Sequence, residues 1–140
     1  MRIGKKLAAT AAAIGMAALG GMAAAPAHAA PMDVGIHLNT SHNAGVYNTA
    51  YVFPVEANKV APNLHTRPNP ATTDGIDADC YTSRGYAANG HDKRWYHATH
   101  LYYNDPDDHP GSIEMYAWVY APYVDNSTTA NEHLIPDCQY

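Results

Sequence analysis

The apolar positions of the chain come in short runs rich in Tyr, Val and Trp, and proline or glycine interrupts them at short intervals. Such runs fit a pleated, half-buried surface and the interruptions fit tight connections, so the pattern predicts an all-β domain with no helix. Residues 76–82 alternate: Ile76, Ala78, Cys80 and Thr82 fall on one face, and Asp77, Asp79 and Tyr81 on the other. Residues 94–103 and 114–120 read as a strand pair joined by Asn104-Asp105-Pro106-Asp107-Asp108-His109-Pro110-Gly111, which is long for a hairpin and must be exposed. Two weaker candidates precede them. Residues 51–55 are confined to an edge or bulge by Pro54, and residues 60–67 run into the stiff turn Pro68-Asn69-Pro70. The densest stretch is Tyr116-Ala117-Trp118-Val119-Tyr120-Ala121-Pro122-Tyr123-Val124, whose pairing must end near Pro122 because proline has no ladder N–H. Residues 30–53 are small and polar with neither period, and read as a flexible or loosely docked arm.

The beginning of the chain changes what the composition means. Arg2, Lys5 and Lys6 precede an apolar, alanine-rich run over residues 7–25, and Ala27 and Ala29 stand at the −3 and −1 positions of a cleavage site. That is the pattern of a secretory signal peptide over residues 1–29, so a secreted, extracellular protein is expected. Cleavage after Ala29 leaves 111 of the 140 residues, room for one domain, here residues 54–140 behind the arm. It also removes three of the eight Lys and Arg residues and takes the formal charge from −5 to −8. Without a basic patch or a later apolar span, nucleic acid and membranes are poor partners, and a soluble monomer is expected. Cys80 and Cys138 are the two cysteines, and export places them where a disulfide persists. Closing this loop stabilises the fold by about 4 kcal/mol in the chain-entropy account. The alternative, Cys80 as a nucleophile activated by His97 or His100, needs a free thiol in that oxidising setting.

The order of motifs resembles the bacterial SH3 domain (SH3b) of secreted and cell-wall proteins. Asn63-Leu64-His65-Thr66-Arg67-Pro68 is similar to the opening motif of that family, through Leu64 and Arg67. Cys80-Tyr81 followed by Gly85, Gly90 and Trp95-Tyr96 looks like a pattern of its secreted members, and residues 118–124 look like its closing "Gly-Trp-Val-x-x-x-Tyr-Val". The resemblance covers about residues 54–138. It implies a small SH3-like barrel of five to six short strands with a shallow aromatic groove, in which Tyr123 holds the place of the groove tyrosine, and cell-wall peptides, especially peptidoglycan stems, as ligands. Flat rings supply apolar area at little rotamer cost, which makes Tyr123, Tyr96 and Trp118 the candidate ligand-binding residues. Against this, tryptophan is highly buried on average, so at least one of Trp95 and Trp118 is expected in the core. Alternation puts Val119 opposite Trp118, and if Val119 faces the interior then Trp118 faces out.

Other chemistry has little support in the residues. His97 and His100 are three apart on a strand and face opposite sides, so no metal site and no cofactor are expected. Asp74, Asp77 and Asp79 break the order of a calcium loop, while Asp105, Asp107 and Asp108 lie in the proline-rich connection. No nucleophile elbow, phosphate loop or zinc-protease motif is present. The expected function is therefore a non-enzymatic binding module. A secreted enzyme inhibitor acting through the stiffened loop 104–111 is the alternative, and a small extracellular hydrolase with an unrecognised Asp or His site is the third reading.

Overall fold

A computed structural model describes residues 33–51, 59–105, 111–131 and 133–139. The expected signal segment, most of the strand expected over residues 51–55, and the middle of the 104–111 loop lie outside the described residues. Six strands form one antiparallel sheet: β1 (Val34–His37), β2 (Ala44–Tyr47), β3 (Lys59–Leu64), β4 (Gly75–Thr82), β5 (Trp95–Tyr102) and β6 (Ser112–Tyr120), in the order β1-β4-β5-β6-β2-β3. The chain is thus all-β in its framework, as the pattern of short aromatic runs predicts. At the far edge the sheet curls back. Past β3, the Asp74 N–H donates to His65 O at 3.0 Å and the Asp74 carboxylate accepts from the His65 N–H at 2.8 Å, which brings the end of β3 to the start of β4.

Residues expected as a loose arm supply two of these strands. β1 pairs with β4 and β2 with both β3 and β6, so the segment is part of the sheet. Its large apolar side chains are sparse: Ile36 and Leu38 are buried between exposed neighbours, and Val46 follows buried Ala44 and Gly45. Backbone ladders need no side-chain period, and strands of four residues are too short to display one. Gly45 has a packing reason: a Cβ there would run into the Tyr47 ring.

Two departures from strict alternation shape the sheet. β4 shifts register against β5 on either side of Ala78. Ile76 and Ala78 pack in a main core with Leu64, Tyr96, Leu101 and Val119, whereas Cys80 joins a second cluster with Trp95, Trp118, Tyr120, Ala50 and Cys138. The single face read over Ile76, Ala78, Cys80 and Thr82 is therefore split, because an extra bulged residue inverts the alternation beyond it.

Two short helices follow β6, where none was expected. The strand stops at Tyr120 and Pro122 sits in the first turn of α1 (Ala121–Val124), where its fixed φ suits a helix and its missing N–H is not needed. α2 (Thr128–Asn131) starts after Asn126 and Ser127, both at positive φ. Asp125, 3 % exposed, holds this end: its carboxylate accepts from Thr129 N–H at 3.0 Å, Thr129 O–H at 2.7 Å and Tyr96 O–H at 2.8 Å. The tail then returns to β4. The Tyr81 N–H donates to Pro136 O at 3.0 Å, the Cys138 N–H to Tyr81 O at 2.8 Å, and the Cys80–Cys138 disulfide locks the contact at a Cα separation of 5.0 Å. No described helix is long and apolar enough to cross a membrane.

Candidate ligand-binding site

The turn from β6 into α1 places Tyr123 at the mouth of the second cluster. Its ring stacks on His42 with centroids 4.5 Å apart and meets Tyr120 edge-on at 5.0 Å, while its carbonyl accepts from the Thr40 O–H at 2.6 Å. The backbone is thereby fixed and the ring left half-buried. Around it lies a cleft of about 210 Å³ walled by Tyr47, Trp95, Tyr120 and Tyr123, with Asn43, Lys59 and Asn63 as polar members. Asn63 Oδ1 is buried in that wall and has no hydrogen-bond partner. An orphaned acceptor is costly unless something donates to it.

The far wall is held by the loop after β4. The Trp95 Nε1–H donates to Tyr86 O at 2.8 Å, and the Tyr86 N–H to Ala50 O at 2.7 Å. A Cβ at Gly85 would strike the Trp95 ring, so this position must be glycine for the loop to lie flat. Tyr120 O–H lies 2.6 Å from both Asn89 Oδ1 and Asp92 O, and accepts from the Asn89 N–H at 3.2 Å. Burial, with the Asp92 carboxylate close by, pushes the Tyr120 phenol above its ordinary range. Partial burial works against ionised Asp92, yet the Arg94 guanidinium, 2.6 Å from Asp92 Oδ2, holds its carboxyl below the usual value.

The other two expected ligand residues do not join Tyr123. Tyr96 is fully buried in the main core, its hydroxyl committed to Asp125 and to the Ala130 N–H. Burial and the Asp125 carboxylate drive its phenol far above the ordinary value. Trp118 does lie opposite Val119, which is completely buried, but it remains 8 % exposed because a second layer covers it. Its ring contacts His97 at 5.0 Å and Tyr51 at 5.9 Å. Both tryptophans are core residues, one more than the composition argument required.

Of the cleft residues, the sequence singled out Tyr123 as ligand-binding; Asn43, Tyr47, Lys59, Asn63, Trp95 and Tyr120 were not named so. Tyr47 sits in the segment without a period, and nothing in a linear pattern says that it meets Trp95, 5.8 Å away edge-on. A larger hollow of about 830 Å³ lies between the end of β1 and residues 66–73; Leu38, Pro70 and Ala71 are its apolar members, His37, Asn39, Thr66, Thr73 and Asn104 its polar ones, and its guanidinium, Arg67, is engaged by Asp105 at 2.9 Å.

The aspartates whose order breaks a calcium loop are dispersed among separate partners. Asp74 ties backbone, Asp77 accepts from Tyr102 O–H at 2.6 Å, and Asp79 pairs with His97 at 2.7 Å. Asp107 and Asp108 fall outside the described residues. Among the described residues the donor group of metal-ligating type is Asp79, Cys80 and His97. The disulfide leaves Cys80 no free thiol, which removes the nucleophile reading in this oxidised form. No family model, curated protein or solved structure matches the chain.

Proposed function

We propose that the protein is an exported, non-enzymatic binding module whose Tyr123 cleft takes an extended cell-wall peptide, such as a peptidoglycan stem. The observation that carries this reading is the cleft itself: the half-buried rings of Tyr47 and Tyr123 at its opening, Trp95 and Tyr120 buried behind them, a half-buried lysine and an orphaned amide oxygen in its lining. Rings of this kind bury an aliphatic side chain or the flat face of a backbone segment, Asn63 Oδ1 accepts a ligand N–H, and Lys59 attracts a carboxylate. Peptide stems carry all three groups. Export is supported by the leader pattern at residues 1–29 and by the disulfide. The kinship with bacterial SH3 domains rests on the motifs around Leu64, Cys80-Tyr81 and residues 118–124, and it puts the groove tyrosine at Tyr123.

Sedimentation with purified cell-wall sacculi tests the proposal. Wild type is expected to pellet with the wall and Tyr123→Ala to stay in the supernatant, and equal free fractions for the two would sink it.

A further inference from the structure

Away from the cleft, a second set of side chains converges on the disulfide. In a regular strand, neighbouring residues face opposite sides of the sheet. The register shift between Ala78 and Cys80 breaks that rule and turns Asp79 and Cys80 toward the same strand position, His97 on β5, the ladder partner of Cys80. His97 Nδ1 lies 2.7 Å from Asp79 Oδ1, and the donor atoms of Asp79, Cys80 and His97 are all within 4.8 Å of one another. The Cys138 sulfur, bonded to that of Cys80, stands at the same point.

We propose that reduction of the disulfide converts this cluster into a zinc site formed by Asp79, Cys80, His97 and Cys138. The tail is then held to β4 by a covalent bond in an oxidising medium and by a metal ion in a reducing one. Two thiolates, an imidazole and a carboxylate are a donor set that zinc binds tetrahedrally. The cluster is also closed: Cys80 is 7 % and Cys138 5 % exposed, and the side chains of His97 and Asp79 are 13 % and 19 % exposed. That enclosure suits a structural ion better than a thiol nucleophile, which needs room for a substrate. The sulfurs must separate to about 3.7 Å to share an ion with Zn–S bonds of about 2.3 Å. The backbone bonds of Pro136 and Cys138 to Tyr81 keep the two cysteines facing each other, so rotation about their Cα–Cβ bonds is enough for this separation once the S–S bond is gone.

The chemistry balances. A phosphine gives two electrons to the disulfide and becomes its oxide by taking the oxygen of one water molecule, whose two protons go to the two sulfurs. The zinc ion then displaces both thiol protons.

The full chain, reduced with a phosphine under anaerobic conditions, is titrated with Co2+ and then with Zn2+. One equivalent of Co2+ is expected to give thiolate-to-metal charge transfer together with the absorption of tetrahedral cobalt, and zinc to bleach both. Oxidised protein gives neither band. Asp79→Asn and His97→Phe are each expected to weaken binding by about tenfold or more, while His100→Phe, on the same strand but outside the cluster, titrates as wild type. The proposal is overturned if reduced wild type shows no tetrahedral cobalt band, or if loss of either side chain leaves the titration unchanged. Asp79→Asn keeps the shape of its side chain and so reads the site even if His97→Phe does not fold.

Discussion

On one face of the sheet Leu64, Ile76, Leu101 and Val119 bury branched aliphatic side chains around Tyr96, and α1 and α2 lie over them. On the other, Trp95, Trp118 and Tyr120 lie on the Cys80–Cys138 bridge, and among the described residues Ala50 and Tyr51 are part of the layer over them. The aliphatic face spends polar atoms inside, as in the Tyr96–Asp125–Thr129 network, and it too meets the surface, in the hollow lined by Leu38. The aromatic face keeps its edges near the surface: it opens at Tyr123 into the cleft and carries His97 and Asp79 beside the disulfide. A domain this small cannot fill two cores with aliphatic residues. Rings and a cross-link supply the second, and the cleft proposed as the ligand site opens on that side.

Separate perturbations of the two faces sharpen this contrast. Replacing both Cys80 and Cys138 by serine is expected to lower the unfolding free energy by about 4 kcal/mol, the chain-entropy value for a 58-residue separation. Urea denaturation checks it, and a change near zero would mean that the aromatic face does not depend on its bridge. Leu101→Ala, fully buried on the aliphatic face, is expected to cost about 3 kcal/mol through lost transfer energy and a cavity. Tyr96→Phe removes one donor from the buried Asp125 carboxylate and is expected to cost about 1–2 kcal/mol.

Alkali acts on both faces, since the Tyr120 phenol is raised too, but more strongly on the aliphatic one. Burial and neighbouring carboxylates raise the phenols of Tyr96 and Tyr103 well above 10.0, the ordinary value, and both belong to the aliphatic core. Each stays protonated in the fold where the unfolded chain ionises. Their stabilisation is therefore whole below about pH 10 and lost as the pH rises beyond it. The urea midpoint is expected to fall steadily above that pH, and less steeply in Tyr96→Phe. Equal slopes in the two proteins would remove Tyr96 from this account.

The framework was legible in the sequence because β4, β5 and β6 are long enough to carry a pattern and rich enough in Tyr, Trp and Val to favour strands. Cys80 and Cys138 were legible as a pair because they are the two cysteines of the sequence. β1 and β2 were not, since four-residue strands held by ladder bonds leave no period. The bulge at β4 was also hidden, and with it the meeting of Asp79, Cys80 and His97, because linear alternation assumes an unbroken register. Tyr123 was singled out by the resemblance of residues 118–124 to a closing motif, and the structure places its ring half-buried beside Tyr120. Tyr96 was misjudged as a ligand residue because its partner, Asp125, comes from a helix turn that strand logic does not foresee.

The most direct test of the cleft is a backbone-amide NMR titration of the protein with a soluble peptidoglycan stem peptide. Saturable shifts centred on Tyr47, Lys59, Asn63 and Tyr123, abolished by Tyr123→Ala and untouched by Tyr116→Ala on the exposed end of β6, are the predicted result. No shifts at saturating peptide, or shifts confined to the strand face around His100 and Tyr116, would contradict the account.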